Sequence, residues 1–222
     1  MAKVQALNGK IQMYDHYMSL GVNCEAAFQF RRVLGRDRSS FFNWNVTPAE
    51  TLEKLLENDF SNLALAENMQ FDGNGTLVRD KLYDYHFHWI GQNFHLINDR
   101  MSEEYRSNYA RLHYLADKFR KTLRSGGRIA FFYTCNGHDV LSRLPYIETL
   151  LDRKYGAKEF RIIALLNEQD AGRDRQFDSP RIVCRTIKRF APWSDATDGH
   201  VSSWDALFRE FPHAAPMTLA GY

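Results

Sequence analysis

The chain has little cysteine: Cys24, Cys135 and Cys184 are its only thiols in 222 residues. An odd number in separate contexts argues against a disulfide framework and against the paired spacing of a zinc knuckle. It also lacks a charge excess. Lys+Arg is 29 against Asp+Glu 27, a formal net charge of +2, so there is no broad basic footprint and nucleic acid is not an expected partner. No run approaches the ~18–20 apolar residues of a membrane span. The first ten residues lack the apolar core of a signal peptide, so export is not expected. Repeats, low-complexity stretches and a G-x-G-x-x-G phosphate loop are missing too. These absences predict a cytoplasmic domain that works without metal or cofactor. They leave its oligomeric state open.

Against that background, hydrophobic residues make up 44% and charged residues 25%, the balance of an ordinary globular chain rather than a disordered one. The length suits one domain over 1–222 and is enough to bury a core without staples. Aromatics reach 14%. Such side chains fill cores, and they also line grooves for small molecules, peptides or saccharides, the ligand classes expected here.

Residues 1–12 read as a polar, frayed lead-in and 58–75 as a loop-rich insertion. Strands are predicted over 14–20, 76–78, 83–89, 128–134, 160–166 and 181–187, with 76–78 and 83–89 forming a hairpin. Helices are predicted over 24–34, 48–57, 101–123, 139–155 and 201–211, with a kink at Pro145. Thr47, Pro48 and Glu50 read as cap, first and third helical positions. From residue 101 helix and strand alternate, which predicts an α/β fold of three layers: a mainly parallel central sheet with helices on both faces.

Cys24 carries the chemistry in this reading. Gly21-Val-Asn-Cys24 breaks a strand and opens a helix, where unpaired N–H groups and the helix dipole favour a thiolate and could hold an oxyanion. A lone cysteine also serves as a small buried hydrophobe. Tyr85-His-Phe-His88 puts His86 and His88 on one strand face. They are candidate bases or, with His95 or Asp99, candidate metal ligands, although no usual ligand set is complete. His16 is a further possible base and Cys135 a second thiol. Arg31, Arg32, Arg36 and Arg38 are either a solvated face or a carboxylate and phosphate binder. Trp193 to His200 reads as a loop capping the last helix.

Ser19-Leu-Gly-Val-Asn-Cys24, Ala27, Arg31-Arg32, Ser40-Phe-Phe-Asn-Trp44, Thr47-Pro48, Val78-Arg-Asp-Lys-Leu-Tyr83 and Phe87-His88 together resemble a bacterial domain family of unknown function described as papain-like cysteine peptidases. The motifs cover about the first half of the chain. The resemblance implies a thiol hydrolase cleaving an amide or ester. Cys24 would be its nucleophile and His88 its base, and Asn43, where the family has Asp, could still orient His88 as an amide acceptor. Arg31, Arg32, Trp44 and His86 are the residues read from the sequence as candidate substrate binders. It also raises a papain-like α+β fold as the alternative to α/β. Two departures stand out: His88-Trp-Ile replaces a usual His-Asp-Phe, and Phe41-Phe-Asn-Trp44 replaces Pro-Phe-Asp-Trp. A different expectation is a surface-polysaccharide biosynthesis protein, a sugar or acyl transferase or an accessory binder of an anionic sugar donor, using the arginines and tryptophans.

Overall fold

The structure is a computed structural model and describes residues 12–73, 76–135, 140–173 and 177–220. Most of the expected lead-in, the end of the 58–75 segment and the residues following Cys135 lie outside that set. In chain order the elements are β1 (His16–Gly21), α1 (Glu25–Leu34), β2 (Asn45–Val46), α2 (Ala49–Glu57), β3 (Met69–Phe71), β4 (Leu77–Asp80), β5 (Tyr85–His88), α3 (Glu103–Leu123), β6 (Ile129–Thr134), α4 (Leu144–Thr149), β7 (Phe160–Asn167), β8 (Ile182–Ile187) and α5 (Val201–Glu210).

Unbroken apolar runs make the centre. β6 is buried at all its positions, as a strand covered on both faces must be. It lies in a four-stranded sheet of order β1-β6-β7-β8, and every pair in that sheet is parallel. Alternate side chains sort the helices. Met18, Leu20, Phe131, Tyr133 and Ile162 pack with apolar residues of α2, α3 and α4. Tyr17, Ala130, Phe132 and Ile163 pack with Ala26, Phe30 and Val33 of α1 and with Trp204, Leu207 and Phe208 of α5. The chain therefore has the three layers that the alternation predicts. Each fully buried Phe or Leu contributes roughly 1.5–3 kcal/mol of transfer free energy.

A second, antiparallel sheet of order β2-β5-β4-β3 was not foreseen as a sheet. Only its hairpin was. The β4–β5 turn is held by Asp80, whose buried carboxylate accepts from Leu82 N at 2.9 Å and Ala64 N at 2.7 Å. Tyr85 and Phe87 point into the core and His86 and His88 away from it. The core is continuous, because Val78, Tyr85 and Phe87 belong to the same apolar cluster as Phe131 and Ile162.

Local boundaries differ from the sequence reading for identifiable reasons. α2 begins one residue later than its cap motif suggests, with Pro48 as N-cap. Thr47 N donates to Val22 O at 3.1 Å, and among the described residues its buried hydroxyl has no partner, so Thr47 serves the β1 turn instead of capping the helix. Pro145 occupies the first turn of a short α4 and starts it rather than kinking it. A single π-helical turn, Leu150–Lys154, follows. The 58–75 segment contains a 3₁₀ turn and β3. Among the described residues no helix is long and apolar enough to cross a membrane.

Candidate functional site

At the carboxyl edge of the parallel sheet, where α/β folds place ligands, β1 ends in a tightly bonded turn. Thr134 Oγ1, from the end of β6, donates to Gly21 O at 3.1 Å and accepts from Val22 N at 2.9 Å. Ser19 Oγ accepts from Gly21 N at 3.1 Å. Gly21 sits at φ +123°, and a Cβ there would lie 2.4 Å from Thr47 O, so only glycine fits. Asn23 Oδ1 then accepts from Glu25 N at 3.1 Å, satisfying the first orphan amide of α1. The result is Cys24 at the N-cap of α1, ahead of the amides of Ala26 and Ala27.

Glu25 does a second job. Its buried carboxylate accepts from Trp204 Nε1 and Ala191 N, both at 2.9 Å. That pins the stretch whose Trp193 and Ala196 close one side of the cleft. Burial raises the Glu25 pKa, against the lowering effect of these two hydrogen bonds.

The opposite wall is β5. His88 Nδ1 lies 2.8 Å from Thr76 Oγ1, and its carbonyl accepts from Arg111 at 2.7 Å. His86 stands between two carboxylates, Nδ1 at 3.2 Å from Asp72 and Nε2 at 3.3 Å from Asp84. Burial raises Asp84, but Arg79 and His86 outweigh it and hold the carboxyl below its ordinary value. Cys24, Phe28, Trp44, His86, His88 and Trp193 share a cleft of about 530 Å³.

Burial favours the uncharged form of both chemical groups. Burial pushes the Cys24 thiol up to about 11, and burial, then Arg111, lowers the His88 imidazole. The helix terminus was expected to favour a thiolate. Desolvation in an aromatic-walled cleft opposes that, and no hydrogen bond joins the sulfur to either ring among the described residues.

The other sequence candidates separate. Asn43 is buried and its amide is committed, Oδ1 accepting from Ser19 N and Nδ2 donating to Arg38 O, each at 3.1 Å. It braces the β1 turn and does not orient His88. Arg32 is taken by the buried Asp205 at 2.6 Å and by Gln29 at 2.8 Å, so it ties α1 to α5 away from the cleft. Trp44 forms the cleft wall edge-to-face with Phe28, centroids 4.9 Å apart. The Arg31 guanidinium lies over both rings, at 4.9 and 5.3 Å. His16 stands at the opposite end of β1, and His95 is exposed on a separate turn. Cys135 is buried, and burial raises its pKa. His200 caps α5. Among the described residues no group of three His, Cys, Asp or Glu side chains could hold a metal ion.

Sequence reasoning missed Thr76, Asp72 and Arg111. Register pairs His88 with Leu77 and sets Thr76 against Trp89, so strand alternation gave no sign of the Thr76–imidazole contact. Asp72 carried no signal either. No protein-family model matches the chain, and neither curated proteins nor solved structures provide a match.

Proposed function

We propose that the cleft catalyses acyl transfer through Cys24, most simply hydrolysis of an amide or ester. The observation behind this reading is that a cysteine at the start of a helix and histidines from a separate antiparallel sheet line one cleft. A division of cysteine and histidine between two halves is also what the papain-like resemblance implies.

The resting pair is neutral thiol and neutral imidazole, so the proton moves during attack. As sulfur bonds to the carbonyl carbon, His88 takes the thiol proton. It returns that proton to the departing amine or alcohol, and the amides of Ala26 and Ala27 suit the oxyanion. Water then cleaves the thioester with His88 as base. His88 fits this better than His86, because Thr76 engages only its Nδ1 while both nitrogens of His86 face carboxylates. Thr76, rather than Asn43, is the residue placed to set the tautomer. A reducing cytoplasm keeps such a thiol usable, and the aromatic walls fit a small molecule, peptide or saccharide.

A non-catalytic binder, of the polysaccharide-related kind, is favoured by one feature, the raised thiol pKa. Exposure to a series of activated acyl esters separates the two. A hydroxylamine-labile adduct on Cys24, seen by intact mass, supports acyl transfer. Cys24→Ala should abolish it, and His88→Ala should slow turnover by about 10²–10⁴. An unmodified Cys24, or equal turnover by Cys24→Ala, rejects it.

A further inference from the structure

Behind the Phe28–Trp44 wall lies a second cleft of about 580 Å³. It gathers Arg31 from α1 with Arg111 and Lys118 from α3, and among the described residues the only carboxylate lining it is the exposed Asp37. Several arginines elsewhere find carboxylates: Arg32 has Asp205, Arg79 has Asp84, Arg120 has Asp59 and Asp117, Arg189 has Asp198. Among the described residues, those of this cleft do not. Arg111 donates to His88 O at 2.7 Å and Asn108 Oδ1 at 3.1 Å. Lys118 donates to Ser39 O at 2.7 Å. Among the described residues the Arg31 guanidinium makes only its ring contacts.

Polar atoms at this cleft are also left over. Arg111 Nε and Ser40 Oγ are buried without partners among the described residues, and Ser40 is only 6% exposed. Burial lowers the Arg111 pKa, the mark of a cation held without a counter-ion. A desolvated guanidinium and an unbonded hydroxyl are unfavourable until an acceptor reaches them.

From this arrangement we propose that the second cleft is a binding site for the phosphoryl group of a small phosphate ester. Two guanidinium groups, an ammonium and a hydroxyl offer more donors than a carboxylate has faces, and they suit a tetrahedral dianion. Phe28, Trp44 and the exposed Tyr114 supply an aromatic wall for the body of the ester. The site does not depend on acyl chemistry at Cys24. It differs from the basic cluster visible in the sequence: Arg31 is the one member that lines the cleft, and its partners come from α3.

Calorimetric titration of the purified chain with inorganic pyrophosphate, at low salt, tests this. We expect a Kd below about 1 mM that weakens as salt rises. Lys118→Met and Arg111→Lys should each weaken binding by about tenfold, the second because it keeps the charge and loses the fork. Arg31→Gln, at an exposed position that leaves folding intact, should weaken it about threefold or more. Lys121→Met, on the exposed side of the same helix, should change nothing. Absence of binding up to about 10 mM overturns the site. Unchanged affinity in the folded Arg31→Gln and Lys118→Met chains does the same. Malonate binding as tightly as pyrophosphate overturns the phosphoryl assignment.

Discussion

The two walls of the Cys24 cleft are built on opposite principles. On the thiol side the backbone amides of the β1 turn are held from inside the protein, those of Gly21, Val22 and Glu25 by Ser19, Thr134 and Asn23 and, one step back, that of Ser19 by Asn43. On the imidazole side, short strands carry rings whose partners, Asp72, Asp84 and Thr76, are side chains at the surface. One wall is fixed by backbone and buried oxygen atoms. The other can exchange its hydrogen bonds with solvent or ligand. A nucleophile must be held in place, whereas a base must give up one bond to form another, so this asymmetry suits the proposed roles.

The largest test of that contrast sets Gly21, in the β1 turn, against Gly91, three residues beyond the end of β5. At Gly21 a Cβ would strike the Thr47 carbonyl, a backbone atom, at 2.4 Å; at Gly91 it would strike the Glu104 carboxylate, also at 2.4 Å, which can swing away. Both carry a positive φ, +123° and +146°, so the conformational strain is shared. We expect Gly21→Ala to cost about 3–4 kcal/mol in urea unfolding and Gly91→Ala about 1–2 kcal/mol. Equal losses would mean that the turn after β1 and the segment after β5 yield equally.

A smaller effect concerns the thiol itself. With its pKa pushed up to about 11, Cys24 is only about 0.01% ionised at pH 7, against about 3% for an unperturbed thiol. A raised pKa keeps the proton on, so reactivity is low in acid and neutral solution and grows as pH rises. The iodoacetamide rate at Cys24 should climb about tenfold per pH unit from 7 to 10 without levelling near 8.5. Mass spectrometry of the Cys24 peptide reads it directly. A plateau by pH 7 would show that the helix terminus outweighs burial, and the thiol wall would then be poised as an anion.

Much of this was legible, and what was not has a common cause. β6 and β7 announce themselves by unbroken apolar runs, and Tyr85-His-Phe-His88 by alternation, because burial on one or two faces writes a short-period pattern into the sequence. Cys24 at the strand–helix junction followed from Gly21 and the helical spacing after it. Asn43 and Arg32 were misplaced because their partners are remote. Asn43 meets a backbone amide 24 residues earlier and Arg32 a carboxylate 173 residues later. Nothing in local spacing encodes either distance. The antiparallel sheet escaped notice because β2 and β3 have two and three residues, too few to show a period. Arg111 and Lys118 read as the polar face of α3, and only the approach of α1 turns that face into a cleft.

The smallest and sharpest test falls on the imidazole wall. Thr76 Oγ1 and His88 Nδ1 are 2.8 Å apart, and either can donate. If the ring donates, Nε2 carries the free lone pair and can act as base. The hydroxyl then also stabilises the imidazolium, and Thr76→Val should lower the His88 pKa further. If the hydroxyl donates, it stabilises the neutral ring, Nε2 carries the proton, and Thr76→Val should raise the pKa. The bond is exposed, so the shift should stay below about one pH unit, within reach of a proton NMR titration of the ring C–H signals. We expect the downward shift, with urea stability unchanged to within about 0.5 kcal/mol. An upward shift would leave His88 without a free lone pair on Nε2 and transfer the role of base to His86, whose ring would first have to release Asp84.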